Sequence, residues 1–520
     1  MLSFVDCAKK GRPSGGDRDT IPPIIVRVTP ENYTINFDED EIKITFDEYI
    51  KLKDLQKNLI ISPPLKYPPI ITPLSTSKTL KIKISDTLKE NTTYSINFGQ
   101  SIVDNNEENA YPYYKYVFST GTYIDSLNLK GSITDALLPE PDAPTTVMLY
   151  EITETFTDST IYNEKPTYIS ITTDSTSTFE LTNLKEGKYL LLALKENNPN
   201  YTFQPERDKI AFEKNFITLP NDSSYVLNLF KEQIPYRIEK PKLEGKTHLI
   251  FGFQGIADTL DITELSELPE DYASVTYRDR AKDTLHYWFK PVMERDSLIF
   301  KVKNGKQTDT VTARLRNLFQ DTLTIKMLDK TYVLPKDSLR FDSNVPLVKM
   351  DSTLIKIIDK DTLPITASTA IDTRTNTGRI FFPKTEGNSY QISVLPGAMT
   401  DFYGTKNDSL SYLVKTLPAS DYGTLKLTVE NAARYPILIE LVDSKFKLVA
   451  QRKLNVKADV YFENLAPTKY YLRVIYDDNQ NGKWDTGAFL TRTAPEQVIY
   501  YPAVLDIRSN FNYNETFTLK

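Results

Sequence analysis

Asn464-Leu-Ala-Pro-Thr-Lys-Tyr-Tyr-Leu-Arg-Val-Ile-Tyr-Asp-Asp-Asn-Gln-Asn-Gly-Lys-Trp484 decides the fold, because the chain contains this stretch twice. Asn183 to Phe203 aligns with it without a gap at a constant offset of 281, and seven of the 21 positions are identical. Among them are Asn183/Asn464, Leu184/Leu465, Lys188/Lys469, Tyr189/Tyr470 and Asn200/Asn481, and the aromatic ends Phe203 and Trp484 also correspond. A repeat at so long a spacing is a copied domain, not a short-period solenoid.

The rest of the composition agrees with copied sheet domains. A chain of 520 residues has room for about three to five domains, each with its own core. Thr, Tyr, Ile and Val recur in short alternating runs, and 32 Tyr and 25 Phe stand against only 6 Met, which suits half-buried pleated surfaces. A net charge of −6 offers no general attraction to nucleic acid, and no basic stripe with interleaved aromatics is present. No apolar run reaches the roughly 20 residues that a membrane span needs. Cys7 is the one cysteine, so no internal disulfide can form and the domains must stand on their cores.

Leu2-Ser3-Phe4-Val5-Asp6-Cys7 resembles the end of a lipoprotein signal peptide, and the resemblance implies that Cys7 carries lipid. It departs from that pattern at Asp6, where a small residue is usual, and in lacking a basic n-region and a full apolar h-region. Ala8 to Thr20, with Gly11, Pro13, Gly15 and Gly16, has no periodicity and reads as a flexible tether reaching on the order of 20 Å. Residues 1–20 are therefore expected to be anchor and tether.

Residues 21–123 open with Ile21-Pro-Pro-Ile-Ile-Val, a proline-guarded edge-strand entry. Glu41-Ile-Lys-Ile-Thr-Phe-Asp, Thr79-Leu-Lys-Ile-Lys-Ile-Ser, Thr93-Tyr-Ser-Ile-Asn-Phe and Tyr114-Lys-Tyr-Val-Phe-Ser alternate with period two between turn clusters. The segment resembles a bacterial Ig-like domain of the SbsA type, through Ile24, Val26, Val28-Thr29-Pro30, Ile44 to Asp47, Leu88 to Tyr94, Ile102 to Asp104 and Phe118 to Gly121. Residues 124–235 contain Phe179, Leu181, Leu184, Gly187 and Tyr189, a pattern similar to the carboxypeptidase-regulatory or Cna-B type sandwich, a non-catalytic spacer fold. Residues 236–318 form a middle β unit without a clear relative. There, Leu260, Ile262, Leu265 and Leu268 read as one short helix or turn, and Asn304-Gly305 as a type I′ hairpin. Phe341-Asp342, Glu386, Tyr390, Ile392 and Asp401 repeat Phe46-Asp47, Glu90, Tyr94, Ile96 and Asp104 at offsets of 295 to 297, so residues 319–418 read as a second Ig-like domain. Residues 419–520 are the second Cna-B-like sandwich. The expected fold is all-β, a tandem array of about five antiparallel β-sandwich domains.

Chemistry is sparse. His248 and His286 are the two histidines, and neither belongs to a motif; His286 lies in an apolar strand and reads as a packed residue. No phosphate-binding glycine loop, dinucleotide fingerprint, zincin motif or paired Cys-x-x-Cys occurs. Paired carboxylates could cleave a glycosidic bond without histidine, yet charges on strands and turns are mostly solvated surface. The best candidate site is the loop opening at Asp477. Asp477, Asn479, Asn481, Lys483 and Asp485 stand at alternate positions, with Gly482 at the bend, as hard-oxygen calcium loops require. Ala488 replaces the usual bidentate Glu. A plain Asx-rich turn and a calcium site both fit; in the first copy Glu196, Asn198 and Asn200 are followed by Tyr201 in place of Gly, and the plain turn is favoured. Tyr111-Pro-Tyr-Tyr-Lys-Tyr reads as core and cross-strand packing rather than a binding face.

The order of parts resembles Ig-like-domain lipoproteins of Bacteroidota-type bacteria. That resemblance implies a non-enzymatic scaffold on the outer membrane, docking to envelope proteins such as a β-barrel assembly or export complex. Lys9-Lys10 after Cys7 is not the acidic run associated with surface export in that group, so the periplasmic side is favoured over the cell surface. A surface glycan-binding or adhesin module is the alternative, and a hydrolase in the middle unit the second alternative.

Overall fold

The computed structural model describes residues 19–141, 143–172, 177–257, 259–316, 318 and 322–520. Cys7 and almost all of the tether lie outside the described residues. Nearly all the regular structure of the described residues is strand, with two one-turn α-helices at Leu55–Asn58 and Thr160–Asn163 and two 3-10 turns at Ser352–Leu354 and Ala419–Asp421. It forms two compact units: residues 19–232 with 486–495, and residues 233–485 with 496–520.

In the first unit, strand Glu41–Leu52 shows how alternation becomes a sandwich. Ile42, Ile44 and Phe46 point inward and are buried, while Lys43 and Asp47 do not. This strand lies between Ile25–Thr29 and Ser77–Lys83, with Ile70–Thr72 at the far edge and Ile102–Asp104 on its second half. The facing sheet runs Ile60–Ser62, Thr93–Asn97, Lys115–Ser119 and supplies Tyr94, Ile96, Tyr116 and Phe118 to the same core. Two one-faced sheets packed in this way are the usual route by which alternating strands escape water. A second core follows. Sheet Tyr168–Ile171, Thr146–Glu151, Gly187–Lys195, Lys209–Phe212 packs its Val147, Leu149, Leu191 and Ala193 against Leu129, Leu181 and Leu227 of sheet Thr178–Leu184, Leu127–Asp135, Ser224–Leu229.

Among the described residues the second unit includes three sandwich cores and a smaller cluster of Trp288, Val345 and Phe402. In the middle segment, sheet Arg237–Ile238, His248–Gln254, Thr284–Lys290, Ala273–Arg278 covers sheet Leu260–Glu264, Ser297–Asn304, Gln307–Arg314. Leu260 to Glu264 is a strand paired with Ser297–Asn304, not the helix or turn its leucines suggest. A lone helix this short is marginal, whereas the partner strand satisfies the backbone, and Leu260 and Ile262 share one face of it. The hairpin at Asn304 is present, but Gly305 is the first central residue with φ 56°, and Lys306 is not left-handed. That is the II′ pattern with Gly in first place, not I′.

The duplicated segments share their main strand order. Order Leu339–Ser343 between Ile325–Met327 and Thr377–Phe381 repeats Glu41–Leu52 between Ile25–Thr29 and Ser77–Lys83. In residues 124–235 and 419–520 alike the last strand pairs in parallel with the first: Ser224–Leu229 on Leu127–Asp135, and Asn512–Thr518 on Gly423–Glu430. The polar fasteners repeat as well. The Tyr94 hydroxyl accepts Lys89 N–H at 2.9 Å and Thr120 Oγ1 accepts Thr92 N–H at 3.0 Å; Tyr390 accepts Thr385 N–H at 2.7 Å and Thr416 Oγ1 accepts Asn388 N–H at 3.1 Å. The Tyr189 hydroxyl donates to Lys185 O at 3.1 Å, and Tyr470 to Ala466 O at 3.0 Å.

Asn183 and Asn464, which head the repeated stretch, are both left-handed at φ 59° and 55°, where the strand register shifts. Asn tolerates this conformation and a β-branched residue does not. Asn464→Gly is therefore expected to change stability by only a few tenths of a kcal/mol, and Asn464→Val to cost about 1–2 kcal/mol, read as a shift of the urea midpoint. Equal midpoints for the two variants would refute the conformational reading.

Candidate functional site

The loop after strand Lys469–Tyr476 is built around one acid. Asp477 is fully buried, at 0% exposure. Its Oδ2 accepts Gly482 N–H at 3.0 Å and the Lys453 ammonium at 2.6 Å, while its Oδ1 has no partner. Gly482 adopts φ 77°, the bend its residue type permits. Asn479 Oδ1 accepts Asn481 N–H at 3.0 Å and Asn481 Oδ1 accepts Lys483 N–H at 2.8 Å, two successive Asx turns. Both amide groups donate to Asp485 Oδ2 at 2.7 Å. Glu496 braces the loop by accepting Asp478 N–H at 2.7 Å and Asp485 N–H at 3.0 Å, and its backbone oxygen receives Trp484 Nε1–H at 3.0 Å. Three of the five residues marked in the sequence, Asn479, Asn481 and Asp485, thus meet by side chain, Asp477 holds the bend through Gly482 N–H, and Lys483 takes part through its backbone.

The first copy keeps the acid and loses the rest. Glu196 Oε1 accepts Asn200 N–H at 2.9 Å and Tyr201 N–H at 3.0 Å, and Oε2 is buried without a partner. Tyr201 carries the bend at φ 65°. Gln204 stands where Asp485 stands in the second copy. Burial pushes the Glu196 carboxyl up to about 7. The aromatic ends have also diverged, with Phe203 fully buried and Trp484 only half-buried.

Sequence reasoning missed the histidine pair. Strands His248–Gln254 and Thr284–Lys290 are neighbours, and their register places His248 opposite Trp288 and Ile250 opposite His286. His248 Nε2 lies 2.9 Å from His286 Nδ1, and His286 Nε2 lies 3.2 Å from Asp279 Oδ2. The rings form a stack, with Trp288 on His248 at 3.9 Å and Tyr277 beside His286 at 4.8 Å. The row borders a recess of about 270 Å³ whose lining includes Arg280, Asp342 and Ser343. Each of these is occupied: Arg280 pairs with Asp342 at 2.7 Å, and Ser343 Oγ donates to Val345 O at 2.7 Å. The recess thus offers no base next to a free hydroxyl, which acyl transfer would need. Burial first, and the adjacent His286 second, pushes the His248 imidazole down to about 3. Among the described residues no three His, Cys, Asp or Glu side chains form a metal cluster. In the tyrosine run, Tyr114 and Tyr116 are buried and Tyr113 is exposed, so packing accounts for most of it.

Thr486–Pro495 belongs to the first unit. Phe489 is fully buried there and meets the Phe212 ring edge-on at 5.4 Å. Its N–H bonds the Glu232 carboxylate, and Arg492 bonds Asp158 at 2.5 Å while lying 4.0 Å over the Phe489 ring. Nothing in the local sequence signals this packing.

Residues 19–120 match the family of bacterial Ig-like domains. No curated protein matches the chain. Solved structures similar to it include surface layer protein SbsC domains 1–6, at 12% identity over 94% of this chain and 67% of that one, with a TM-score of 0.15. The Bacillus anthracis TIE protein has 11% identity over 98% and 76%, with a TM-score of 0.15. The major pilin subunit of Bacillus cereus has 12% identity over 76% and 99%, with a TM-score of 0.15. Such low scores carry no argument about function.

Two acid–base expectations follow. The unfolded chain protonates His248 near about 6.5 while the folded chain holds it neutral down to about 3. Folding stability from this group is therefore full above that upper value and falls as pH drops through the window, by at most about 1.4 kcal/mol per pH unit. His248→Phe should lose less stability than the parent between pH 7 and pH 5 in urea titrations; equal losses would contradict the assignment. Glu196 has the opposite sign. Its folded form keeps a proton up to about 7, so its favourable contribution is full below the ordinary glutamate value of 4.5 and is lost as pH rises through 7. Glu196→Gln, which mimics the protonated acid, should be more stable than the parent at pH 8 by about 1 kcal/mol, allowing for partial solvent screening, and no more stable at pH 4.5. A gain at both pH values would remove the link to titration.

Proposed function

We propose that the chain is a non-enzymatic, lipid-anchored scaffold of the cell envelope, held to the outer membrane through Cys7 and docking to an outer-membrane protein complex of β-barrel type. The observation that carries this reading is the state of the reactive groups. The two histidines, Asp279, Asp342 and Ser343 are consumed by hydrogen bonds, ion pairs and stacking that brace the sandwiches. What the chain offers outward is surface and strand edge. Edge strand Ile25–Thr29 leaves Val26 exposed beside unpaired backbone, the kind of edge to which another chain can add a strand. The match of residues 19–120 to bacterial Ig-like domains supports a spacer role rather than a catalytic one.

One surface favours the glycan-binding alternative. Tyr501, Phe511 and Tyr513, with Asp506, Arg508 and Glu515, line an open recess of about 340 Å³, a mixture of rings and polar groups on which a sugar could stack.

Cell fractionation of the tagged chain, expressed with its native leader region, tests the anchor. The protein should sediment with outer membrane and be extracted only by detergent, and Cys7→Ser should release it to the soluble fraction. A parent protein that is soluble without detergent would sink the anchored scaffold. Retarded migration of the pure protein in polysaccharide gels, abolished by Phe511→Ala, would replace it with the glycan reading.

A further inference from the structure

We propose that the loop Asp477 to Asp485 is a single calcium site, and that the equivalent loop at Glu196 has lost it. An Asx-rich turn explains the Asn479 and Asn481 oxygens, which receive the Asn481 and Lys483 N–H groups. It does not explain Asp477. This carboxylate is fully buried, is turned into the loop by its bond from Gly482 N–H, and still has an oxygen with no partner. A buried carboxylate oxygen is normally satisfied, and a hard cation is the partner that a set of oxygens can hold there.

The other groups are at hand. Asn479 and Asn481 both face Asp485 Oδ2 at 2.7 Å, so side chains from alternate positions already converge. Each amide oxygen retains a second lone pair beyond the one its turn uses. Cation entry exchanges the two amide N–H bonds on Asp485 for ligation by the amide oxygens, Asp485 and the Lys483 carbonyl, with Asp477 Oδ1 as the buried ligand. Two carboxylates and neutral oxygens suit calcium, which accepts irregular shells of six to eight oxygens, better than magnesium, which demands near-ideal octahedra.

Lys453 sets the affinity. Its ammonium lies 2.6 Å from Asp477 Oδ2 and 3.0 Å from Gln480 O, so a positive charge already neutralises part of the site. This places the site at the weak end, with a dissociation constant of roughly 10⁻⁴–10⁻³ M, the range of extracellular modules. The first copy has a bulky Tyr201 at the bend and Gln204 in place of the second acid, which leaves Glu196 alone. One equivalent per chain is expected, not two.

The test is calorimetric titration of the chelator-treated full chain with calcium chloride, together with its melting temperature at 0 and several millimolar calcium. The expected result is one equivalent bound, a rise in melting temperature, loss of both in Asp477→Asn and in the exposed-side variant Asp485→Asn, and several-fold tighter binding in Lys453→Met. Absence of heat and of any thermal shift in the parent protein would overturn the proposal. So would binding that survives in both Asp variants, two equivalents per chain, or a response to magnesium but not to calcium.

Discussion

Each core of this protein depends on two sheets that are apolar on one face only and must close on each other. Leu425, Leu427 and Val429 on one sheet and Leu472, Val474 and Tyr476 on the other are buried at 3% exposure or less, and they alternate with residues turned away from that core. Burying a Leu or Val side chain is worth about 1.5–3 kcal/mol, and neither sheet gains this alone. The constraint propagates outward. It fixes register, because a slip by one residue would put every inward side chain into water. It also leaves the hairpins, bulges and loops at the sandwich ends as the places where polar chemistry can vary.

The fasteners at those ends show what duplication keeps. Tyrosine hydroxyls 94 and 390, and 189 and 470, bond backbone groups of the same relative position in each copy. Asp104 and Asp401 are both buried and both collect N–H groups of the following turn. These bonds cap backbone that would otherwise be buried unsatisfied, and that cost explains why they outlast the surrounding sequence. The Glu196 and Asp477 loops show what duplication allows to drift. An acid with a buried, unpartnered oxygen persists in both, yet in one it is held with a raised pKa and in the other it is matched by Lys453.

The strands were legible because period two is a local signal, and the repeat was legible because left-handed Asn and corner Tyr are chemically hard to replace. The loop at Asp477 was legible for the same reason, since its spacing is contiguous. The histidine row was not. His248 and His286 are 38 residues apart in sequence and meet only through strand register, which no motif encodes. The burial of Phe489 in the first unit was hidden likewise, because its partners Phe212 and Glu232 lie more than 250 residues upstream. Leu260 to Leu268 misled because leucine spacing of two and three residues fits a helix as well as a strand; pairing with Ser297–Asn304 decides it.

The most direct test of the central claim, that the chain is a series of separately cored sandwiches, is to stretch the full chain by its ends in a single-molecule force experiment. Separate cores predict several successive rupture events, each releasing on the order of 30 nm of chain, as about 80–110 residues at up to ~3.6 Å each would. A single event releasing the whole length at once would contradict it.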